Sequence, residues 1–443
     1  MRYLHSFGLF LLALVLAGGI IGGTAALIYG PAAPPSVETS SVLQPAPSAQ
    51  TANIRAPSPR DIADFFDALS KDAVAKGIKP KTFTDAFAKF EPDLDVMAAS
   101  LSQPEFSRSA GEYVNLLVSE TRIEMGREKA TEHARLLGEL ERKFGVPGTV
   151  LVAIWGVESN FGASMGSRSV IRSLATLALM DQRRPLFWRG ELLAALTILE
   201  RGDIALEQFV GSWAGAMGHT QFIPSTYLAH AVDADGDTKR NIWSSITDAL
   251  GSTASYLKAS DWDSEVPWGF EVTLPPNHDF SANGPGSVAT IQQWIERGVA
   301  ITDVKQRTFA DTGAKDVGPL TLHLPAGADG PAFLTSKNFR ALLRYNNAVS
   351  YALAVAHLSD RIAGRGTFAK AWPETDKALS RSEREELQSL LIKRGFDVGA
   401  IDGFIGTQTR NAIRAYQKSA GLVEDGHPNG VLLGRLRAQT QQN

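Results

Sequence analysis

Along residues 61–363 apolar side chains keep returning at the three-and-four spacing of an α-helix, and this period limits the possible fold more than any other feature of the chain. Ile62, Phe65, Phe66, Leu69 and Ala73 make one such stripe, with Asp61 placed to cap it, and further helical patterns cover 130–144, 147–159, 187–201 and 346–363. The period breaks between residues 266 and 324. There the runs Gly269-Phe-Glu-Val-Thr-Leu274 and Leu320-Thr-Leu-His-Leu324 read as short strands among Pro, Gly and Asn. The expectation is a mainly α body, residues 61–372, carrying a small inserted α/β subdomain and closing at Trp372-Pro373-Glu374.

A shorter periodic unit follows over residues 380–438. Leu387, Leu390 and Leu391 form a stripe, Gly395 stops it, and Asp402-Gly403 and Gly406 turn the chain. Ala412, Ile413 and Tyr416 then form a second stripe, followed by a second turn at Asp425-Gly426. Two helix-and-turn units of one design predict a duplicated three-helix module. It lacks a His and carboxylate cluster of metal-ligand type, so it reads as a binding rather than a catalytic unit.

None of the 443 residues is cysteine, which excludes disulfides, thiolate zinc sites, thiol nucleophiles and lipoprotein acylation. Packing alone must hold the fold. With 44 basic and 47 acidic residues and no long run of one sign, nucleic acid is excluded as a partner on electrostatic grounds. Residues 7–29 are apolar and uncharged behind Arg2, as in an export signal. Their length nears the roughly 20 residues that span a bilayer, so residues 1–30 read either as a signal cleaved near Thr24-Ala25-Ala26 or Pro31-Ala32-Ala33, or as a retained inner-membrane anchor. Residues 31–60, rich in Pro, Ala and Ser, read as a linker. The body is then periplasmic, and a monomer is expected.

Two segments carry candidate chemistry. In Val152-Ala-Ile-Trp-Gly-Val-Glu-Ser-Asn-Phe-Gly162, Glu158 ends an otherwise apolar helix just before a glycine. Desolvation and the negative end of the helix dipole both disfavour its carboxylate, which keeps an acid available near neutral pH. In Ser212-Trp-Ala-Gly-Ala-Met-Gly-His-Thr-Gln-Phe-Ile-Pro-Ser-Thr-Tyr227, Gly215 and Gly218 would let backbone approach a ligand, and Ser212, Gln221 and Tyr227 offer hydrogen bonds beside aromatic surface, a mixture suited to a sugar. His219 reads as a satisfied turn histidine. Trp188, Trp213, Trp243 and Trp262 are either core residues or sugar-stacking platforms.

A Glu-Ser followed by Gly-Ala-Met-Gly-x-x-Gln-Phe-x-Pro-Ser resembles the lysozyme-like lytic transglycosylases, and specifically the MltB family of murein transglycosylases, glycoside hydrolase family 103, over about residues 62–363. The resemblance implies that Glu158 serves first as general acid and then as base. It implies further that Ser212, Gln221, Tyr345 and Asn346 line the active site, and that Arg183, Arg184 and Tyr256 line the glycan groove. Most glycosidases use two carboxylates, yet neither motif offers a second Asp or Glu. In the resembled family the nucleophile is the C6 hydroxyl of N-acetylmuramic acid, which closes on C1 to leave a 1,6-anhydro end. A muramidase using water, and a non-catalytic wall-binding scaffold, are the alternative readings. No cofactor is required for this chemistry.

Asp233-Ala-Asp-Gly-Asp-Thr-Lys239 resembles the opening of an EF-hand loop, with Asp233, Asp235, Asp237 and Lys239 at positions 1, 3, 5 and 7. Gly236 stands at position 4 rather than 6, and Ser244 occupies position 12, so Asp248 is the candidate late carboxylate. The family resemblance implies a structural calcium or sodium ion there. The C-terminal unit resembles the peptidoglycan-binding domain type 1 through Leu387-Gln388, Asp402-Gly403-x-x-Gly406, Thr409-Arg410, Tyr416-Gln417 and Asp425-Gly426. Glycan strands of peptidoglycan are thus the expected partner.

Overall fold

The computed structural model describes residues 54–102, 108–302 and 317–440. The helical body starts at Pro59–Ala75, where Ser58 rather than Asp61 is the N-cap. Asp61 sits at the third helical position, and its carboxylate returns to the Ser58 backbone N–H in a reciprocal capping box. The pattern over 130–144 proves to be the end of one helix, Glu120–Glu132, and the whole of another, Ala134–Phe144, broken at His133.

At the centre lies the helix Gly148–Ser159, in which every residue from Val150 to Ser159 is buried. A helix apolar on all sides can only be a core helix, and this one is sheathed by Glu120–Glu132, Ala134–Phe144 and Val349–Ile362. The helices Val170–Met180 and Pro185–Arg201 pack against each other beside it. Two short strands, β1 (Arg168–Ser169) and β2 (Val210–Gly211), pair antiparallel and place the Ser212–Gln221 loop next to the end of the central helix.

The insert is larger than the sequence indicated. Its antiparallel sheet runs β4 (Val288–Ala289), β6 (Leu320–His323), β7 (Ala332–Thr335), β3 (Gly269–Thr273), β5 (Ala300–Ile301). Strand β7, beyond residue 324, lies between the two strands recognised from sequence, with Phe270 opposite Leu334 and Leu322 opposite the same Leu334. Phe270, Val272, Leu320, Leu322, Leu334 and Trp294 form its separate core. The insert is tied to the body where the Trp268 indole donates to Asp360 and where Glu271 accepts the backbone N–H groups of Ala369 and Lys370.

The helices Arg381–Lys393, Thr407–Ser419 and Gly430–Thr440 form the C-terminal module around Leu387, Leu391, Ile413, Tyr416, Leu433 and Leu436. Among the described residues no helix is long and apolar enough to cross a membrane, and the apolar run 7–29 lies outside them.

Candidate active site

The central helix delivers Glu158 to its own last turn and then reverses sharply. Asn160, Phe161 and Gly162 all take positive φ (50°, 58° and 89°), and Gln221 opposite them does so too (55°). Non-glycine residues seldom adopt this conformation, and its clustering here concentrates backbone strain around one carboxyl. Ser159 fixes the approach of the second motif, its hydroxyl donating to the His219 carbonyl at 2.6 Å.

Glu158 is only 5% exposed. The Tyr351 hydroxyl, from the helix Val349–Ile362, donates to its Oε1 at 2.5 Å. Burial pushes the Glu158 carboxyl up to about 8, against the opposing pull of the Tyr351 hydrogen bond. The group is therefore an acid at neutral pH, supplied with one donor that steadies its anion when the proton leaves.

An aromatic wall adjoins the pair. Tyr345 stacks on Tyr351 with ring planes 11° apart and centroids 6.5 Å apart, while Tyr256 meets Tyr345 edge-on at 5.1 Å. Tyr345 donates to the Thr220 carbonyl, and Tyr256 to that of Arg344. Burial raises the Tyr345 hydroxyl well above its ordinary value, with a further contribution from the Glu158 charge. Both rings also contact Phe222, so the wall binds the second motif to the helix Lys337–Tyr345.

Two buried polar atoms flank this wall without a partner, Asn346 Nδ2 and Thr220 Oγ1. Unpaired buried donors are costly enough to call for a ligand or a water. Gln221 donates its amide to the carbonyls of Met165 and Gly218, and Ser212 Oγ accepts from the N–H groups of Ala214 and Ala216. The two motif glycines prove to serve the protein rather than a ligand. A Cβ on Gly215 would lie 2.8 Å from Leu174, and one on Gly218 only 2.4 Å from the Ile242 carbonyl oxygen.

Of the residues singled out in the sequence, Glu158, Tyr345 and Tyr256 thus fall in one contact network through Tyr351, while Asn346 directly follows Tyr345 and Gln221 and Ser212 lie in the loop that Phe222 ties to the wall. Arg183 and Arg184 engage other partners. Arg183 clamps Asp181 and Ser100, and the Arg184 guanidinium lies 3.9 Å above the Phe187 ring. His219 is a satisfied turn histidine, as the sequence suggests, its Nδ1 accepting the Trp155 indole N–H. Tyr351 and Thr220 were missed. Tyr351 stands 193 residues from Glu158, and its helix pattern alone gives no sign of which face meets the acid.

The four carboxylates of Asp233, Asp235, Asp237 and Asp248 bring oxygens within 4.8 Å of one another. Thr238 and Gly236 turn with positive φ so that their N–H groups reach Asp233, while Asp248, wholly buried, accepts the N–H groups of Ala234, Asp235 and Asn241. Lys239 borders the cluster, its backbone N–H donating to Asp237. An all-oxygen donor set of this charge fits a hard cation.

The fold is a mainly helical domain with a desolvated acid at its heart, and comparison with known proteins gives the family. Residues 61–360 match the transglycosylase SLT domain and residues 380–436 the putative peptidoglycan binding domain. The chain belongs to this transglycosylase family, whose members cleave the glycan strands of peptidoglycan. It is 48% identical to SltB3 of Pseudomonas aeruginosa, solved in complex with NAG-anhNAM-pentapeptide and with NAG-NAM-pentapeptide, with a TM-score of 0.80 over 85% of this chain and 99% of that one. It is 32% identical over 222 residues to membrane-bound lytic murein transglycosylase B of Escherichia coli (strain K12), covering 50% of this chain and 58% of that protein's length. The Escherichia coli lytic transglycosylase Slt35, solved in complex with calcium, is 26% identical with a TM-score of 0.58, over 68% of this chain and 92% of that one.

Proposed function

We propose that the protein is a lytic transglycosylase of the periplasm that cleaves the MurNAc-β-1,4-GlcNAc bond of peptidoglycan with Glu158 as its catalytic group. The observation that carries this reading is the buried Glu158–Tyr351 pair, an acid held protonated to about 8. Glu158 gives its proton to the glycosidic oxygen as the C1–O bond breaks. The C6 hydroxyl of the same muramyl residue then attacks C1, and its proton passes to the Glu158 carboxylate. Water is not consumed, one 1,6-anhydro end is formed, and the acid is restored for the next turnover. Tyr351 steadies the transient carboxylate, while the Tyr256–Tyr345 wall, Asn346, Ser212 and Gln221 hold the sugars; Arg183 and Arg184 belong to a more distant stretch of the groove. The orphaned Asn346 amide supplies a donor for an N-acetyl or hydroxyl oxygen. The limits 61–372 and 380–438 divide catalytic domain from wall-binding module, and residues 1–30 deliver both across the inner membrane.

The Asp233–Asp248 loop holds a structural calcium or sodium ion through the carboxylates of Asp233, Asp235, Asp237 and Asp248 and the Lys239 carbonyl oxygen. Chelation should then lower the melting temperature by several degrees and calcium restore it. An unchanged temperature in both conditions rules out calcium at the loop.

The deciding experiment for the chemistry is mass spectrometry of muropeptides released from purified sacculi by the protein and by Glu158→Gln. Anhydro-muramyl ends that vanish in the variant are expected. Reducing ends would make the enzyme a hydrolase.

A further inference from the structure

The two halves of the C-terminal module repeat one another down to single atoms. In the first, the buried Gln388 accepts the N–H groups of Asp402 and Gly403 and donates to Asp402 Oδ1, which also accepts the Phe404 N–H. In the second, the buried Gln417 accepts the Gly426 N–H and donates to Asp425 Oδ1, which also accepts the His427 N–H. Each Asp thereby has one oxygen locked inward and the other, Oδ2, turned to the outside of its turn.

In the second half that outer oxygen is occupied by the protein itself. Asp425 Oδ2 accepts the backbone N–H of Ala328 at 2.9 Å, from the loop between β6 and β7. The residue before it, Gly327, has φ +70, and an L-type Cβ there would lie 2.7 Å from Asp425 Oδ2 and 3.0 Å from His427. A D-residue takes positive φ without strain, being the mirror image of the L case, and its Cβ leaves the α-carbon on the other side. The turn therefore grips an N–H that follows a glycine or a D-residue.

In the first half no hydrogen bond among the described residues reaches the same oxygen, Asp402 Oδ2; Asp402 is exposed, and Phe404, standing where His427 stands, is 47% exposed with Ile401 beside it at 51%. We propose that the Asp402-Gly403-Phe404 turn is a peptide-binding site, taking the backbone N–H that follows a D-residue in the stem peptide of the wall. The Asp425 turn, already filled, serves to moor the module to the inserted sheet. This inference rests on the proposal that peptidoglycan is the module's partner, and adds to it the part recognised and the face that recognises it.

The test titrates the full chain with N-acetyl-D-alanyl-D-alanine amide, following the amide resonances of Gly403 and Phe404, with sacculus pull-down in parallel. Saturable shifts are expected, weakened at least tenfold, or about 1.4 kcal/mol, in Asp402→Asn and for the L,L isomer. Asparagine keeps the inward acceptor that Gln388 and Phe404 require and replaces only the outer oxygen, so the melting temperature should not move. Equal affinity for the L,L isomer, which needs no variant to measure, or equal binding by Asp402→Asn, overturns the site while retained sacculus binding leaves the wall as partner. Loss of sacculus binding by the unmodified chain overturns the partner reading and the site with it.

Discussion

Glu158 and Asp181 are both nearly inaccessible carboxyls, 5% and 2% exposed, in the same helical body, yet one is raised to about 8 and the other lowered to about 2. Desolvation acts on both in the same direction. At Asp181 it is outweighed by the Arg183 guanidinium and backbone, by Ser100 and by the Arg183 charge, with the Trp188 indole as a further donor. At Glu158 a single phenol opposes it. Burial alone, then, does not make a carboxyl reactive. What separates a carboxyl that keeps its proton from a structural anion is how many donors the fold grants it.

Removing the Glu158 carboxyl should have the greatest consequence. Glu158→Gln should reduce the release of anhydro-muropeptides by about 10³-fold, in the middle of the range that general acid catalysis supplies, as measured by chromatography of sacculus digests. The same variant should also change stability. The folded protein retains the Glu158 proton up to about 8 whereas the unfolded chain releases it near the ordinary 4.5, so the native state loses stability as pH rises between those values. Replacing the acid should flatten that decline, with a gain of up to about 4 kcal/mol at pH 8; urea titrations at pH 5 and pH 8 that show the same pH dependence for both proteins would mean that Glu158 is not held protonated by the fold.

Asp181→Asn tests the other side. The depressed carboxyl contributes stability above its ordinary 3.8, lost as pH falls through about 2. The variant should be less stable by about 2 kcal/mol at pH 7 and no less stable than the parent in strong acid, while the chemistry at Glu158 proceeds. The smallest effect sharpens the contrast from within. Tyr351→Phe withdraws the one donor to Glu158, so the alkaline limb of the rate profile should move upward and kcat should fall about tenfold, in line with the loss of one charge-stabilising hydrogen bond. An unmoved limb would mean that Tyr351 only fills space.

How much of this could be read from the chain follows from the range of the contacts. The burial of Glu158 was legible because apolar run, acid and glycine stop lie within a dozen consecutive residues, and the tight loop around Gln221 because its motif is equally local. The duplicated module was legible for the same reason, its Gln388 and Gln417 repeating with their turns. Tyr351 was not, since its partner lies 193 residues away, nor was β7, whose Ala332–Thr335 is buried throughout and lacks the alternation that marks a strand. The role of Gly215 and Gly218 was misjudged because a glycine shows that something comes close, not what comes close.

The reversal after Glu158 bears on motion. Phe161 folds back beneath its own helix, its ring so near Gly156 that a methyl group there would fall 2.6 Å from the ring edge, and its N–H closes on the Trp155 carbonyl while Asn160 closes on Gly156. A helix end clasped in this way cannot fray one residue at a time, as free ends do. The amides of Asn160 and Phe161 should exchange with solvent on the slow timescale of the surrounding core, and whatever gating admits a glycan strand must arise in the loops that approach the acid, because the turn that carries it has no small step to take.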